Sequence, residues 1–179
     1  MTPALTPSRS NAEGYLIRRP TRSDTVPFST LHVHIWRSTY RGLMEDRVLD
    51  ALEPSSFAAT WMAVGSGYDE GTIPDDGRGF WVATLHGEPV GFIFFGPGRD
   101  ADRPVERQLY ALNVHPEHHG RGIAQRLLDE GLGPGAAYLW VARGNGRAIR
   151  FYERNGFALD GTESADQHDG VVEVRMVRS

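Results

Sequence analysis

Apolar residues change their period several times along the chain, and each change marks a structural element. Phe28, Leu31 and Ile35 recur at three- and four-residue spacing, as on a helix that buries one face. Thr21 or Ser23 is placed to cap it, with Asp24 in the first turn and Pro27 early enough to be tolerated. Gly42 is predicted to end it. Phe57, Trp61 and Val64 repeat the pattern after Pro54, predicting a second, short helix, and the Gly- and Asp-rich stretch 65–79 reads as a loop. Strand patterns cover 15–19, then 80–85 and 90–95 on either side of the hairpin signal His86-Gly87-Glu88-Pro89. A loop over 96–103 leads to a long strand over 106–114. A helix is predicted over 120–130, with Ile123, Leu127 and Leu128 inward, then a strand over 137–142. Asn145 caps a further helix that ends at Asn155-Gly156, and strands over 157–159 and 171–177 follow.

This order predicts a mixed α/β fold in a single domain, 15–179, behind a polar lead-in, 1–14. The strands ending at Val114 and near Ala142 are joined by a helix, so they should run parallel through a right-handed crossover. Ligands favour the carboxyl ends of such strands.

Composition narrows the chemistry. The 179 residues are 40% hydrophobic and 23% charged, ordinary for a globular protein, with a formal net charge of −4. That balance offers no footprint for nucleic acid or an anionic membrane. All 19 basic residues are arginine, which excludes a lysine-containing phosphate loop and Schiff-base chemistry. The absence of cysteine excludes disulfides and a thiol acyl-enzyme, and is compatible with a cytoplasmic location. No apolar run near the start suggests a signal peptide or a membrane span.

Two segments carry candidate chemistry. After the 106–114 strand comes His115-Pro-Glu-His-His-Gly-Arg-Gly-Ile-Ala124, opening a helix. Gly120 and Gly122 allow a tight turn and close approach of a ligand, and the helix start presents free N–H groups with partial positive charge. Together they form a phosphate cradle that needs no lysine, to which Arg121 can add a charge. A dinucleotide fingerprint would want a third glycine and an earlier strand–helix unit. In the second segment Asn145 and Tyr152 lie seven apart on one helical face, with Ala148 and Ile149 between them.

Taken together, Val114-His-Pro116, His119-Gly-Arg-Gly122-Ile-Ala124, Asn145 and Phe151-Tyr-Glu-Arg-Asn-Gly-Phe157 resemble the GNAT acetyltransferase superfamily in order and spacing. The resemblance implies a largely antiparallel mixed sheet with a splayed parallel strand pair and flanking helices. It implies an acetyl-CoA-dependent N-acetyltransferase with no metal. In that family Leu112, Asn113 and Val114 would pair with the pantetheine arm, and His119, Gly120, Arg121, Gly122, Ile123, Ala124 and Gln125 would hold the pyrophosphate. Asn145 would contact the coenzyme, and Tyr152 would protonate the departing thiolate. His119 stands where the family usually has Gln or Arg, and Gln108 where members with a strand-borne base have glutamate. An amide cannot take a proton. Glu106, two residues earlier on the same face of the strand, could act through water, or solvent could do the work.

The resemblance implies an amine acceptor, on a small molecule or a protein N-terminus. Trp36 and Tyr40, at i and i+4, are candidate walls of its pocket, their aromatic faces suiting a cation. The segment 161–170, with Glu163, Asp166, His168 and Asp169, is a candidate rim. His115, His118 and His119 lack the spacing of a metal site, and His32 and His34 read as surface or edge residues. A catalytically impaired acyl-CoA sensor is the alternative that Gln108 leaves open, a nucleotide-dependent dehydrogenase a distant third, and a homodimer is compatible with the sequence.

Overall fold

The computed structural model describes residues 9–10, 14–73, 75–165 and 171–179. Eight strands form one sheet in the order β1-β2-β3-β4-β5-β6-β8-β7. They are β1 (Arg9–Ser10), β2 (Tyr15–Arg18), β3 (Gly79–Leu85), β4 (Glu88–Pro97), β5 (Arg107–Val114), β6 (Ala137–Ala142), β7 (Ala158–Ala165) and β8 (Val172–Arg178). Every neighbouring pair is antiparallel except β5 and β6. Of the segment expected to be a lead-in, Arg9 and Ser10 pair with Ile17 and Leu16 of β2.

Helices cover both faces. On one lie α1 (Thr25–Tyr40), α2 (Asp46–Asp50) and α3 (Ser55–Glu70), where Phe28, Leu31, Ile35 and Trp61 pack on Val82 and Phe92. On the other lie α4 (Ile123–Gly131) and α5 (Gly146–Arg154), where Ile123, Leu127, Leu128 and Tyr152 pack with Ile93, Leu109, Leu139 and Met176. Burying these side chains on both faces is the main force holding the layers together.

Three local expectations need correction. The capping position Thr21 opens a short 3-10 turn, Arg22–Asp24, and α1 proper begins at Thr25. Asp24 closes that turn by accepting from the Thr21 N–H at 2.7 Å while it pairs with Arg18. The stretch 65–79 is not loop throughout, because α3 continues to Glu70. Its glycines serve packing: a Cβ at Gly65 would collide with the Thr21 carbonyl, and one at Gly67 with Ile73. The helix expected from Gly120 begins at Ile123, because Gly120 and Gly122 sit at φ +79° and +74° in the preceding turn.

β5 carries the feature that shapes the site. Its pairing with β4 slips between Phe94/Ala111 and Phe95/Leu109, leaving Tyr110 as an extra residue. Leu109, Leu112 and Val114 therefore pack with the α4 side, while Ala111 joins the α1 side. On its other edge β5 pairs with β6 only at Gln108↔Tyr138 and Leu109↔Leu139. Beyond that two-residue seam the strands diverge and leave a fork in the sheet.

Candidate active site

The chain between β5 and α4 builds the first part of the site. His119 Nε2 donates to the Val114 carbonyl at 2.9 Å, which leaves its Nδ1 to accept from Arg147 of α5. Burial lowers the His119 pKa, the bond to the Val114 carbonyl opposes it, and the Arg147 charge adds a smaller lowering, so the ring favours the neutral state. Tyr15 and His118 Nδ1 are joined at 2.9 Å, tying the turn to β2. A Cβ at Gly120 or Gly122 would meet nothing within 4 Å, so these glycines are required by their φ values, and their outer side faces open space. Gly120 and the α4 start face a groove of about 330 Å³ that also touches Leu112, Val114, Ala148 and Tyr152.

Most residues expected to hold the coenzyme line this groove: Leu112, Val114, His119, Gly120, Gly122, Ile123, Ala124 and Gln125. Asn113, Arg121 and Asn145 do not. Asn113 pairs with Phe92 on β4, in register with side chains of the α1 face. Arg121 is exposed. Asn145 caps α5, its Oδ1 accepting from the Ala148 N–H at 3.1 Å. Arg147 and Phe151 line the groove and were missed. Their signal was available, since helical spacing puts position 151 one turn after Arg147 and Ala148.

Tyr152 lines the groove and is buried. Burial raises its pKa, and the neighbouring Tyr40 phenol adds to the shift. Tyr152 belongs to the α5 layer and Tyr40 to α1, on opposite faces of the sheet. Trp36 and Tyr40 lie with ring centroids 5.3 Å apart, packed around Met44, Leu49 and Ala142 of β6.

The two residues considered for a base are elsewhere. The Tyr110 bulge shifts the alternation, so Gln108 projects on the α1 face while Leu112 and Val114 face the groove. Gln108 is 8% exposed, and its Oε1 accepts from the Arg99 N–H at 2.9 Å and the Tyr138 hydroxyl at 3.0 Å. Glu106 precedes β5, is exposed and pairs with Arg103 at 3.5 Å. It does not share a strand face with Gln108. His32 is no surface residue either. It stacks on Phe57 with centroids 3.8 Å apart, beside Phe92 at 4.8 Å, and its Nδ1 is buried without a hydrogen-bond partner. Burial lowers its pKa to about 4. His34 stacks on His115 at 4.6 Å. Among the described residues no group of three or more His, Cys, Asp or Glu is placed to hold a metal ion. Of the expected rim, Glu163 pairs with Arg143, while Asp166, His168 and Asp169 lie outside the described residues.

Comparison with known proteins places this geometry. A family model described as an acetyltransferase (GNAT) domain matches residues 76–159, which include β5, the glycine turn, α4 and α5. The probable N-acetyltransferase Rv2775 of Mycobacterium tuberculosis is 31% identical over 148 residues, covering 81% of this chain and 80% of that protein. The chain belongs to the GNAT superfamily of N-acetyltransferases. An uncharacterized N-acetyltransferase of Archaeoglobus fulgidus is 31% identical over 144 residues, covering 76% of this chain and 88% of its own length. The same fold is found in the PaiA N-acetyltransferase of Thermoplasma acidophilum, solved with coenzyme A, at TM-score 0.67 and 20% identity over 92% of this chain and 98% of that one. GNAT membership agrees with the sheet observed: mixed, mostly antiparallel, with one parallel pair. Among the described residues no helix is long and apolar enough to cross a membrane.

Proposed function

We propose that this GNAT protein transfers the acetyl group of acetyl-CoA directly to an amine, without a covalent enzyme intermediate. One observation carries the reading: a single groove is lined both by the glycine turn at the start of α4 and by the buried Tyr152 of α5. Its ends suit the two ends of an acyl-coenzyme. At one, the N–H groups of Gly120 to Gln125 and the helix start receive the pyrophosphate, with Arg147 alongside. Between them, β5 beyond Leu109 has an edge that β6 does not pair, and buried backbone groups need partners. The pantetheine amides supply them, as an added strand would. Small Ala148 leaves room for the arm beside α5.

At the fork the amine nitrogen attacks the thioester carbonyl carbon. The C–N bond forms, the C–S bond breaks, and Tyr152 stabilises the leaving sulfur by its O–H. A phenol held above its usual pKa keeps its proton at neutral pH, so Tyr152 is always in the donating state. The acceptor approaches from the α1 face, past Trp36 and Tyr40. Mixing the protein with acetyl-CoA and a panel of primary amines, and measuring free thiol, tests the reading. Amine-dependent thiol release is expected, and none from any amine would overturn it.

A further inference from the structure

The loop between β4 and β5 brings a carboxylate, Asp100, close to Gln108. Gln108 Oε1 accepts the Arg99 N–H, and the Tyr138 hydroxyl receives the N–H groups of Arg99 at 3.1 Å and Asp100 at 3.3 Å. These bonds draw the loop down onto the seam. Asp100 Oδ2 then accepts from Trp140 Nε1 at 2.8 Å. Trp140 is the first residue of β6 past the seam. It stands two residues from both Tyr138 and Ala142, so all three share the α1 face. Trp36 and Tyr40 pack around Ala142. The Asp100 carboxylate thus lies at the mouth of the fork, on the face opposite the coenzyme groove.

Its lack of an ion pair among the described residues sets it apart from its neighbours. Asp102 and Asp160 are both taken by the buried Arg175, at 3.1 and 2.6 Å. Glu106 is paired with Arg103, and Glu163 with Arg143. The adjacent Arg99 guanidinium stacks on the Tyr110 ring, 3.6 Å from its centroid. The side-chain partners of Asp100, Trp140 and Tyr138, are both neutral, and among the described residues it has no ion-pair partner. A half-buried carboxylate in that state gains from an incoming cation.

We infer that Asp100 binds the ammonium of the acceptor and accepts its proton, and that the acceptor is a primary amine carried on an aromatic or apolar body, received by Trp140, Trp36 and Tyr40. This rests on the reading of the groove as the acetyl-CoA site. The proton balance follows. As the neutral nitrogen lone pair is released for attack, one ammonium proton moves to the Asp100 carboxylate and on to solvent. The tetrahedral adduct then gives up a second proton, which replaces the one Tyr152 donates to sulfur. The products are the amide, the free thiol and one proton in water.

Asp100→Asn is the decisive variant, because the side-chain carbonyl of Asn still accepts from Trp140 Nε1. With tyramine as probe amine, kcat/KM should fall about a hundredfold and the pH–rate profile should rise only as tyramine itself deprotonates. Asp100→Glu should restore part of the low-pH rate. Coenzyme A affinity by calorimetry and thermal stability should match wild type in both variants, which a merely structural role of the loop would not permit. Wild-type rate and pH profile in Asp100→Asn would overturn the proposal. Failure of the wild type to bind or acetylate tyramine would overturn the aromatic-amine assignment. Loss of coenzyme A binding by the wild type would instead overturn the function on which it rests.

Discussion

The two sides of the fork are built by different means. On the groove side the important groups are backbone groups: the amides after Gly120, the start of α4, the unpaired edge of β5. Short sequence runs dictate them. On the α1 side the important groups are side chains brought together from distant segments: Trp36 and Tyr40 from α1, Asp100 from a loop, Tyr138 and Trp140 from β6. Under the proposed function, the difference teaches that a short local stretch of chain can serve the cosubstrate while the acceptor side depends on tertiary assembly. Substituting one side should therefore leave the other nearly untouched.

The largest test of that separation is Gly122→Val. A β-branched residue at φ +74° is strongly disfavoured, and the turn that aims the amides would be lost. Coenzyme affinity measured by calorimetry should drop at least about a hundredfold, by the scale of several lost charge-assisted bonds. Unchanged affinity would show that the cradle lies elsewhere. Next comes Tyr152→Phe, at the junction of the two sides. Turnover is expected to fall roughly tenfold to a thousandfold at constant coenzyme affinity, and wild-type turnover with a good acceptor would remove Tyr152 from the chemistry. Trp36→Ala and Tyr40→Ala sharpen the comparison from the other side. The acceptor KM should rise about tenfold while the coenzyme KM stays within twofold. Equal rises in both, with a lower melting temperature, would reduce the pair to packing around Ala142.

The smallest effect concerns His32, buried among the aromatic rings of the α1 side. Its pKa of about 4 in the fold lies below the ordinary 6.5. The unfolded chain therefore binds the extra proton first, and stability falls as pH drops from about 6.5 towards 4, then levels. The full contribution is at most about 3 kcal/mol by the usual conversion. Denaturant titrations of His32→Phe across that range should show a flatter pH dependence than wild type. Parallel curves would mean that the ring is wetter than its surroundings imply.

This contrast also explains what could be read from the sequence. The main strand and helix order apart from β1 and α2, the parallel β5–β6 pair, the Asn145 cap and the glycine turn before α4 follow from local periodicity and from glycines needed at special φ. Position 108 did not follow. A strict period of two puts 108 with 112 and 114, and the single extra residue at Tyr110 reverses it. Nothing in the local pattern of Gln-Leu-Tyr-Ala-Leu announces that bulge. Asp100 was hidden for a related reason: its place is set by hydrogen bonds to Tyr138 and Trp140, almost forty residues away. The continuation of α3 through Gly65 and Gly67 was hidden because glycine marks both flexible turns and close packing, and only the tertiary neighbours Thr21 and Ile73 decide between them.

The two-residue seam between β5 and β6 has a mechanical consequence. The sheet is two plates, β1 to β5 and β6 to β8, joined along its hydrogen-bonded edge only at positions 108 and 109. Side-chain struts cross near that joint: Tyr138 to Gln108, Trp140 to Asp100, Arg175 to Asp102. A ligand threaded along the open edge acts as a rivet far from the hinge, where leverage is greatest. Amide exchange along β6 and β8 should then slow when coenzyme A is bound, more than exchange in β3 and β4, and the melting temperature should climb with coenzyme concentration.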